Sequence, residues 1–566
     1  MRRQDQNEDL KIGEVARPQS KVIDPFTRKF FLALLLCSIP FPLAAQSPSL
    51  RKISPWSVVP GQTTEIEITG DHLDTVSNAW FSFRAQVTFT NRSEEKISCL
   101  VTVPTDVPVG PAALRLSNEG GVSSLQMIMI DDLPPGFASE TNISFLAAQE
   151  LMLPLAVDGN AHEAKPDYYK FQARKDQRLS IEVVAQRLGS QLDSVVRLLD
   201  ARGRELLYCE DDPGVGADSR FSYLFSATGD YFLELHDIGF QGGSQYRYHL
   251  RLGEFPLVTV PFPLAIQAAD RKPLVELAGP SVDGLGAFQF SSGIGARRQM
   301  SSVQFAKGGP SGFFAIGTSD FATVAETEPN NEPAQANQVP LPVTINGRFD
   351  QPRDRDFFQF EAAQGQKLVF QARTRGAGSP CDVYMKLIEE KGSEIAEVNL
   401  SSTNEGAITN TFKEAGRYRL LVEELNRRGG PGMNYRIDIF PLKPGAALST
   451  DTDRLQIAPG EAGRLKITAA RFEYDGPITI LLEGADADLT LEKNVIPEKK
   501  NEVEIEIKAS SQLIPGQILM LKLRGQATNS TEKLPVSTVP ALQKLFPLMT
   551  YPPPEFDELI AIGIRK

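Results

Sequence analysis

The chain has 566 residues, of which 41% are hydrophobic and 23% charged, and its net charge is −12. At roughly 100–200 residues per domain this length predicts about three to five domains, and the composition excludes a mainly disordered chain. The acidic balance argues against nucleic acid as a partner, because phosphate binding needs clustered Lys and Arg; it is compatible with divalent cations or simply with solubility.

Residues 1–45 predict an export signal. Arg28-Lys29 precede an apolar run from Phe30 to Leu36, then Ile39, Phe41 and Leu43, and Leu43-Ala44-Ala45 ahead of Gln46 is a small-residue cleavage site. The run is interrupted by Pro40 and Pro42 and is too short for a mature anchor. Thr27-Arg28-Lys29-Phe30-Phe31-Leu32 also resembles a twin-arginine signal with Lys29 in place of the second arginine, so the Sec and twin-arginine routes both stay open. Leu36 before Cys37 is a poor lipobox residue. The mature chain is therefore expected to be secreted, periplasmic or at the cell surface, without a transmembrane anchor. Of the four cysteines, Cys37 falls in the leader. Cys99, Cys209 and Cys381 are too widely spaced for a disulfide framework or a zinc site and are expected as buried thiols.

Beyond the leader the fold class reads as all-β. Forty prolines and 44 glycines punctuate short apolar runs, and no stretch shows sustained 3.6-residue periodicity. In 46–131, Thr64 to Thr69 alternate with the period of a half-buried strand, and Trp80-Phe81-Ser82-Phe83 follows. In 132–254, the aromatic strand Tyr169-Lys170-Phe171 leads through Leu179 to Val184, Val195 to Leu199 and Tyr231 to Leu235. The segment 255–324 is a smaller β domain. The segment 325–442 repeats the earlier one: Asp356-Phe357-Phe358-Gln359-Phe360 matches Asp167-Tyr168-Tyr169-Lys170-Phe171, Asp382 matches Asp193, Gly416-Arg417-Tyr418 matches Gly229-Asp230-Tyr231, and Tyr435 matches Tyr248. Each copy is expected to hold seven or eight short strands, as in an antiparallel sandwich or jelly roll. A last sandwich occupies 443–545, with alternation at Glu502 to Ile507. For the tail, 546–566, Tyr551-Pro552-Pro553-Pro554-Glu555-Phe556 leaves a docking segment or a disordered end open.

The duplicated module resembles the bacterial pre-peptidase C-terminal (PPC) domain, a jelly-roll relative of the collagen-binding domains of secreted collagenases. The residues that carry the resemblance are Glu326-Thr327-Glu328-Pro329-Asn330-Asn331, Asp354-Arg355-Asp356-Phe357-Phe358 and Gly416-Arg417-Tyr418, with Asp167-Tyr168-Tyr169 and Gly229-Asp230-Tyr231 in the first copy. The 46–131 segment resembles an immunoglobulin-like IPT/TIG domain, and the domain order is similar to large secreted proteins of planctomycete-type bacteria. The resemblance implies tandem jelly-roll and immunoglobulin-like sandwiches, but it does not carry over a ligand, because one sandwich serves many partners.

Calcium takes six to eight oxygens from carboxylates, amides and backbone. Glu326, Glu328, Asn330 and Asn331 offer four such side chains within six positions, and Asp354 and Asp356 offer two more. Extended spacing puts Glu326, Glu328 and Asn330 on one side of the backbone. In the resembled family this segment and the Asp-x-Asp before the aromatic strand form a calcium site. An acidic interdomain linker with an Asn-rich turn is the alternative. The first copy departs from the pattern: Ser139-Glu140-Thr141-Asn142 has one acid, and Lys165-Pro166 precede Asp167. Glu210-Asp211-Asp212 with Asp218 reads either as a second oxygen cluster or as a solvated loop.

The four histidines, His72, His162, His236 and His249, lie in no recognisable hydrolase context, and His236-Asp237 reads as a surface rim pair. There is no zinc helix and no P-loop. The expectation is a secreted, non-catalytic binding or scaffolding protein with calcium stiffening its second jelly roll, acting on an extracellular polymer or a surface protein or glycan. The alternatives are an accessory or targeting subunit of a secreted peptidase or glycan hydrolase, or a hydrolase itself.

Overall fold

The computed structural model describes residues 45–566 apart from 271, 284, 291–297, 400–404, 485–486 and 529. The expected export signal, with Cys37, lies outside the described residues. Among the described residues one short helix, Val539–Leu545, and a few 3-10 turns accompany the strands, so the fold is all-β. Among the described residues no helix is long and apolar enough to cross a membrane.

Alternation sets the strand faces. In Glu502–Ala509 the side chains of Ile505, Ile507 and Ala509 are buried while Glu502 and Lys508 face solvent. The N-terminal sandwich packs the sheet Ser49–Ser54, Thr63–Asp71, Lys96–Thr102, Gln86–Ser93 against a second built on Gly110–Asn118 and Gln126–Ile130.

The two repeats share one topology. In the first, Pro135–Phe137, Leu155–Asn160, Arg247–Gly253, Arg178–Val184 and Arg220–Leu224 form one sheet. The other holds Gln149–Glu150, Asp167–Ala173, Gly229–Asp237, Ser194–Asp200 and Glu205–Cys209. In the second, Ala322–Ala325, Val343–Arg348, Asn434–Pro441, Lys367–Arg373 and Ala407–Thr411 face Asn337–Gln338, Arg355–Ala362, Gly416–Glu424, Val383–Glu389 and Glu394–Asn399 in the same order. Each copy thus has two five-stranded sheets, more strands than the sequence suggested. The excess is short edge strands that pair in parallel, such as Gln149–Glu150 with Asp167–Ala173, and two residues are too few to show a period.

The small domain carries two three-stranded sheets, and the C-terminal domain one ten-stranded sheet. The tail differs from the expectation of a docking segment or a disordered end. Ile560–Ile564 is a fully buried strand between Arg454–Ile457 and Ile518–Ala527, so the last β domain runs past residue 545. Phe546, Met549 and Phe556 join the core of the N-terminal sandwich.

The domains touch one another through buried polar contacts. Arg115 of the N-terminal sandwich pairs with Asp453 of the C-terminal sheet at 2.6 Å. Asp131, just after the same sandwich, accepts from His249 Nε2 at 2.8 Å and from Arg251 Nε at 2.8 Å in the first jelly roll. Asn346 of the second jelly roll exchanges two bonds of 3.0 Å with the Ala265 backbone of the small domain.

Candidate metal centre

The opening strand of the second jelly roll, Ala322–Ala325, pairs with Val343–Arg348. This pairing carries Glu326 inward, where the Arg348 backbone N–H donates to its Oε1 and the Tyr435 hydroxyl lies 2.9 Å from its Oε2. The chain then turns so that the Asn330 carbonyl accepts from Phe357 N–H at 3.0 Å. That bond ties the acidic segment to the start of the aromatic strand Arg355–Ala362. Glu328, Asp354 and Asp356 converge, with one carboxylate oxygen from each lying within 4.8 Å of the others. Asp354 and Asp356 are buried and Glu328 is exposed.

The groups around this cluster hold it in place. Asp350 N–H donates to Asp354 Oδ2 at 2.7 Å, and Tyr435 donates to Asp356 Oδ2 at 2.6 Å. The fully buried Asn330 amide lies 3.2 Å from Glu328 Oε1 and 3.0 Å from Asp356 Oδ1. With its NH2 turned inward it donates to both; with its oxygen turned inward it adds a fourth acceptor to the cluster. No Lys or Arg pairs with Glu328, Asp354 or Asp356 among the described residues. Burial therefore drives the Asp356 carboxyl well above the usual carboxylate range, and the Glu326 charge beside it pushes the same way. Burial raises Glu326 likewise, against the bonds from Arg348 N–H and Tyr435. An all-oxygen set of carboxylates and an amide, held by backbone and facing no cationic side chain, has the chemistry of a hard divalent cation site.

Of the six residues expected from the sequence, Glu328, Asn330, Asp354 and Asp356 come together. Glu326 stands beside them on the far side of Tyr435. Asn331 turns aside: its Oδ1 accepts from Arg355 N–H at 3.2 Å and its amide reaches Glu328 Oε2 at 3.4 Å. Tyr435 was visible only as a repeated tyrosine. Its role follows from Val343–Arg348 and Asn434–Pro441 pairing across the sheet, which no local pattern encodes.

The first copy uses the same frame differently. Asn142 accepts from Tyr168 N–H at 2.7 Å, as Asn330 does from Phe357, and Tyr248 donates to Asp167 Oδ2 at 2.6 Å, as Tyr435 does to Asp356. Ala138 stands where Glu326 does, by the matching bonds of their backbone N–H groups to Asp158 and Asn346. Here His162 supplies the counter-group, with Nδ1 2.5 Å from Asp167 Oδ1 and Nε2 3.7 Å from Glu140.

The other acidic candidates are structural. Asp218 is fully buried and accepts from the N–H groups of Ala185 and Gln186 at 3.1 and 2.7 Å and from Arg187 Nε at 2.7 Å. Asp212 pairs with Arg220 at 2.8 Å. Glu210 and Asp211 are exposed, as the solvated-loop reading expects, while Asp212 and Asp218 depart from it by pairing with arginines. His236 and Asp237 are buried, not on a rim, because Asp237 caps the following turn through Gly239 N–H at 2.9 Å. Asp382 pairs with Arg375 and Arg428. Cys99 and Cys381 are buried, and burial pushes both thiols up to about 12. Cys209 is only half-buried.

No family model and no curated protein matches the chain. Among solved structures, the pre-peptidase C-terminal domain of a Bacillus anthracis collagenase is similar over 19% of this chain and 93% of that one, at 16% identity and a TM-score of 0.16. The M60 catalytic domain with two CBM51 domains of Clostridium perfringens ZmpB covers 70% of this chain, which spans 46% of that one, at 11% identity and a TM-score of 0.17. SGBP-B from a xyloglucan utilization locus of Bacteroides uniformis covers 37% of this chain and 73% of its own, at 13% identity and a TM-score of 0.15. These likenesses are distant and concern the β-sandwich fold alone.

Proposed function

We propose that the protein is an exported binding or scaffolding protein without catalytic chemistry, and that its second jelly roll holds a calcium ion. Glu328, Asp354, Asp356 and the Asn330 amide are the ligands this chain offers. The observation that carries the metal reading is their convergence without a cationic side chain. Bound calcium neutralises the buried carboxylates and crosslinks the segment before the module to the start of its aromatic strand.

The histidines support the non-catalytic reading. His72 pairs with Glu94, His162 with Asp167, and His249 with Asp131 and Asp158, while His236 bonds a backbone carbonyl and stacks on Phe240. None of these contacts joins a histidine to a Ser or Cys nucleophile. The partner we propose is an extracellular polymer or a surface protein or glycan.

Two readouts on the same chain test this. Calcium should raise its melting temperature, and the double substitution Glu328→Ala, Asp356→Ala should remove that rise. The calcium-loaded chain should co-sediment with at least one of cellulose, chitin, gelatin or peptidoglycan sacculi. An unchanged melting curve across a calcium titration defeats the metal reading, and a chain that stays in the supernatant with all four polymers defeats the binding role.

A further inference from the structure

Four stretches distant in the sequence, with Pro111 of the N-terminal sandwich, line a cavity of about 480 Å³ that neither the metal centre nor the interdomain ion pairs use. They come from the first jelly roll (Gln186 to Arg220), the small domain (Val258 to Ala315), the turn at Arg375–Ala377 of the second jelly roll, and the segment Leu548 to Glu555. A volume of this size at a domain junction falls in the range of small-ligand sites, roughly 300–1,000 Å³. Val258, Met300, Leu548 and Met549 give the wall apolar surface.

On this wall Arg187, Arg220 and Arg375 are already paired with carboxylates, but two other polar groups lack partners. The Tyr551 hydroxyl and Glu555 Oε2 are shielded from bulk solvent without a hydrogen bond. Among the described residues the Arg298 guanidinium forms no ion pair and the Gln186 amide no side-chain bond. Buried polar groups are nearly always satisfied, so two orphans on one cavity wall, beside the half-buried Arg298 and Gln186, point to an absent partner. The C-terminal segment is firmly seated beside them, since Met549 and Phe556 are buried in the core of the N-terminal sandwich.

The identity of the orphans selects the partner. An anionic ligand meets the Glu555 carboxylate, and a cationic one meets Arg298. A neutral ligand whose groups both donate and accept can serve the carboxylate, the guanidinium, the phenol and the amide together. Hydroxyl groups on a ring with apolar C–H faces have that property, and Met300 and Leu548 can cover such faces. We propose that this junction cavity binds a neutral saccharide, with Arg298, Glu555, Tyr551 and Gln186 as its hydrogen-bonding groups. The inference rests on the reading of the chain as a binding protein and names its ligand class.

Isothermal titration calorimetry of the full chain with maltose, cellobiose, lactose and diacetylchitobiose tests it. At least one should bind, and Arg298→Ala and Glu555→Gln should each weaken it by roughly tenfold, the loss of one charge-assisted hydrogen bond. Arg84→Ala, on an exposed ion pair of the N-terminal sandwich, should leave it unchanged, and all variants should keep the parental melting temperature. Silence with all four disaccharides overturns the proposal. So does binding that survives both cavity substitutions, or binding of free glycine in place of any sugar, which would mark a zwitterion site. Polymer co-sedimentation separates the two levels: if the parent chain co-sediments with a polymer but binds no disaccharide, the saccharide site falls and the binding role stands. If the parent chain neither sediments nor binds a disaccharide, both fall.

Discussion

Tyr435 sits with its hydroxyl between Glu326 and Asp356, at 2.9 and 2.6 Å. One phenolic proton serves two buried carboxylates, so Tyr435→Phe leaves both without it. The expected loss is about 1–3 kcal/mol in metal-free denaturant unfolding, largely recovered by calcium. His249 gives the residue scale its pH signature. It is fully buried between Asp131 and Asp158, and although burial alone lowers it, bonds to those carboxylates hold its imidazole up at about 9 from an ordinary 6.5. A raised pKa means its stabilisation is complete below pH 6.5 and fades as the pH rises through about 9, by on the order of 3 kcal/mol. Asp131 behaves oppositely. The Arg251 and His249 charges outweigh its burial and hold it down at about 2 from 3.8, so its contribution is present above 3.8 and lost as the pH falls through about 2. His249→Gln should therefore reduce the fall of the unfolding midpoint between about pH 6.5 and 9. The four residues that converge at the candidate centre stood out in the sequence because they lie in two short acidic stretches. Tyr435 and His162 did not, since each acts through a strand pairing or a turn that local spacing leaves undetermined.

At the scale of elements, the two copies show one frame carrying two charge solutions. Both hold a buried tyrosine opposite a glycine in the adjacent strand: Gly159 pairs with Tyr248 and Gly347 with Tyr435. A Cβ added at Gly347 or Gly159 would lie 2.1 or 2.4 Å from the tyrosine Cζ, and neither ring has room to retreat because both are fully buried. Gly347→Ala and Gly159→Ala should each destabilise by about 1–3 kcal/mol. Only the first should also weaken calcium, because only it displaces a hydroxyl bonded to Asp356. With Ala138 in place of Glu326 and His162 already on Asp167, the first copy has less need of an ion, and calorimetry should find one calcium per chain. Alternation and the repeat made the long strands and the shared topology readable. The two-residue edge strands escaped because nothing periodic marks them, and Ile560–Ile564 escaped because AIGI near a proline-rich run carries no polar alternation.

For the whole molecule, the domains are locked side to side rather than strung on linkers. Arg115 is buried, its guanidinium bonds Asp453 at 2.6 Å and the Ser123 carbonyl at 2.9 Å, and burial lowers it against the raising effect of Asp453. Removing one partner of such a pair strands the other, so Asp453→Ala should cost about 3–5 kcal/mol. Because the C-terminal segment also fills the core of the N-terminal sandwich, fluorescence of Trp56 and Trp80 should follow the same unfolding curve as circular dichroism. None of these junctions was visible in the sequence, since residues such as Arg115 and Asp453 carry no mark of a partner 338 positions away.

Ser117 donates to the Gly516 carbonyl across 399 positions, and the N–H of Lys566 reaches the carbonyl of Glu119. A nascent chain made from its N-terminus therefore exposes the first sandwich long before the surface that covers it has been synthesised. Its final assembly must wait until the residues 399 positions further on have been made, and contacts this distant are slow to find. During that interval a chaperone has its longest opportunity to hold the chain open.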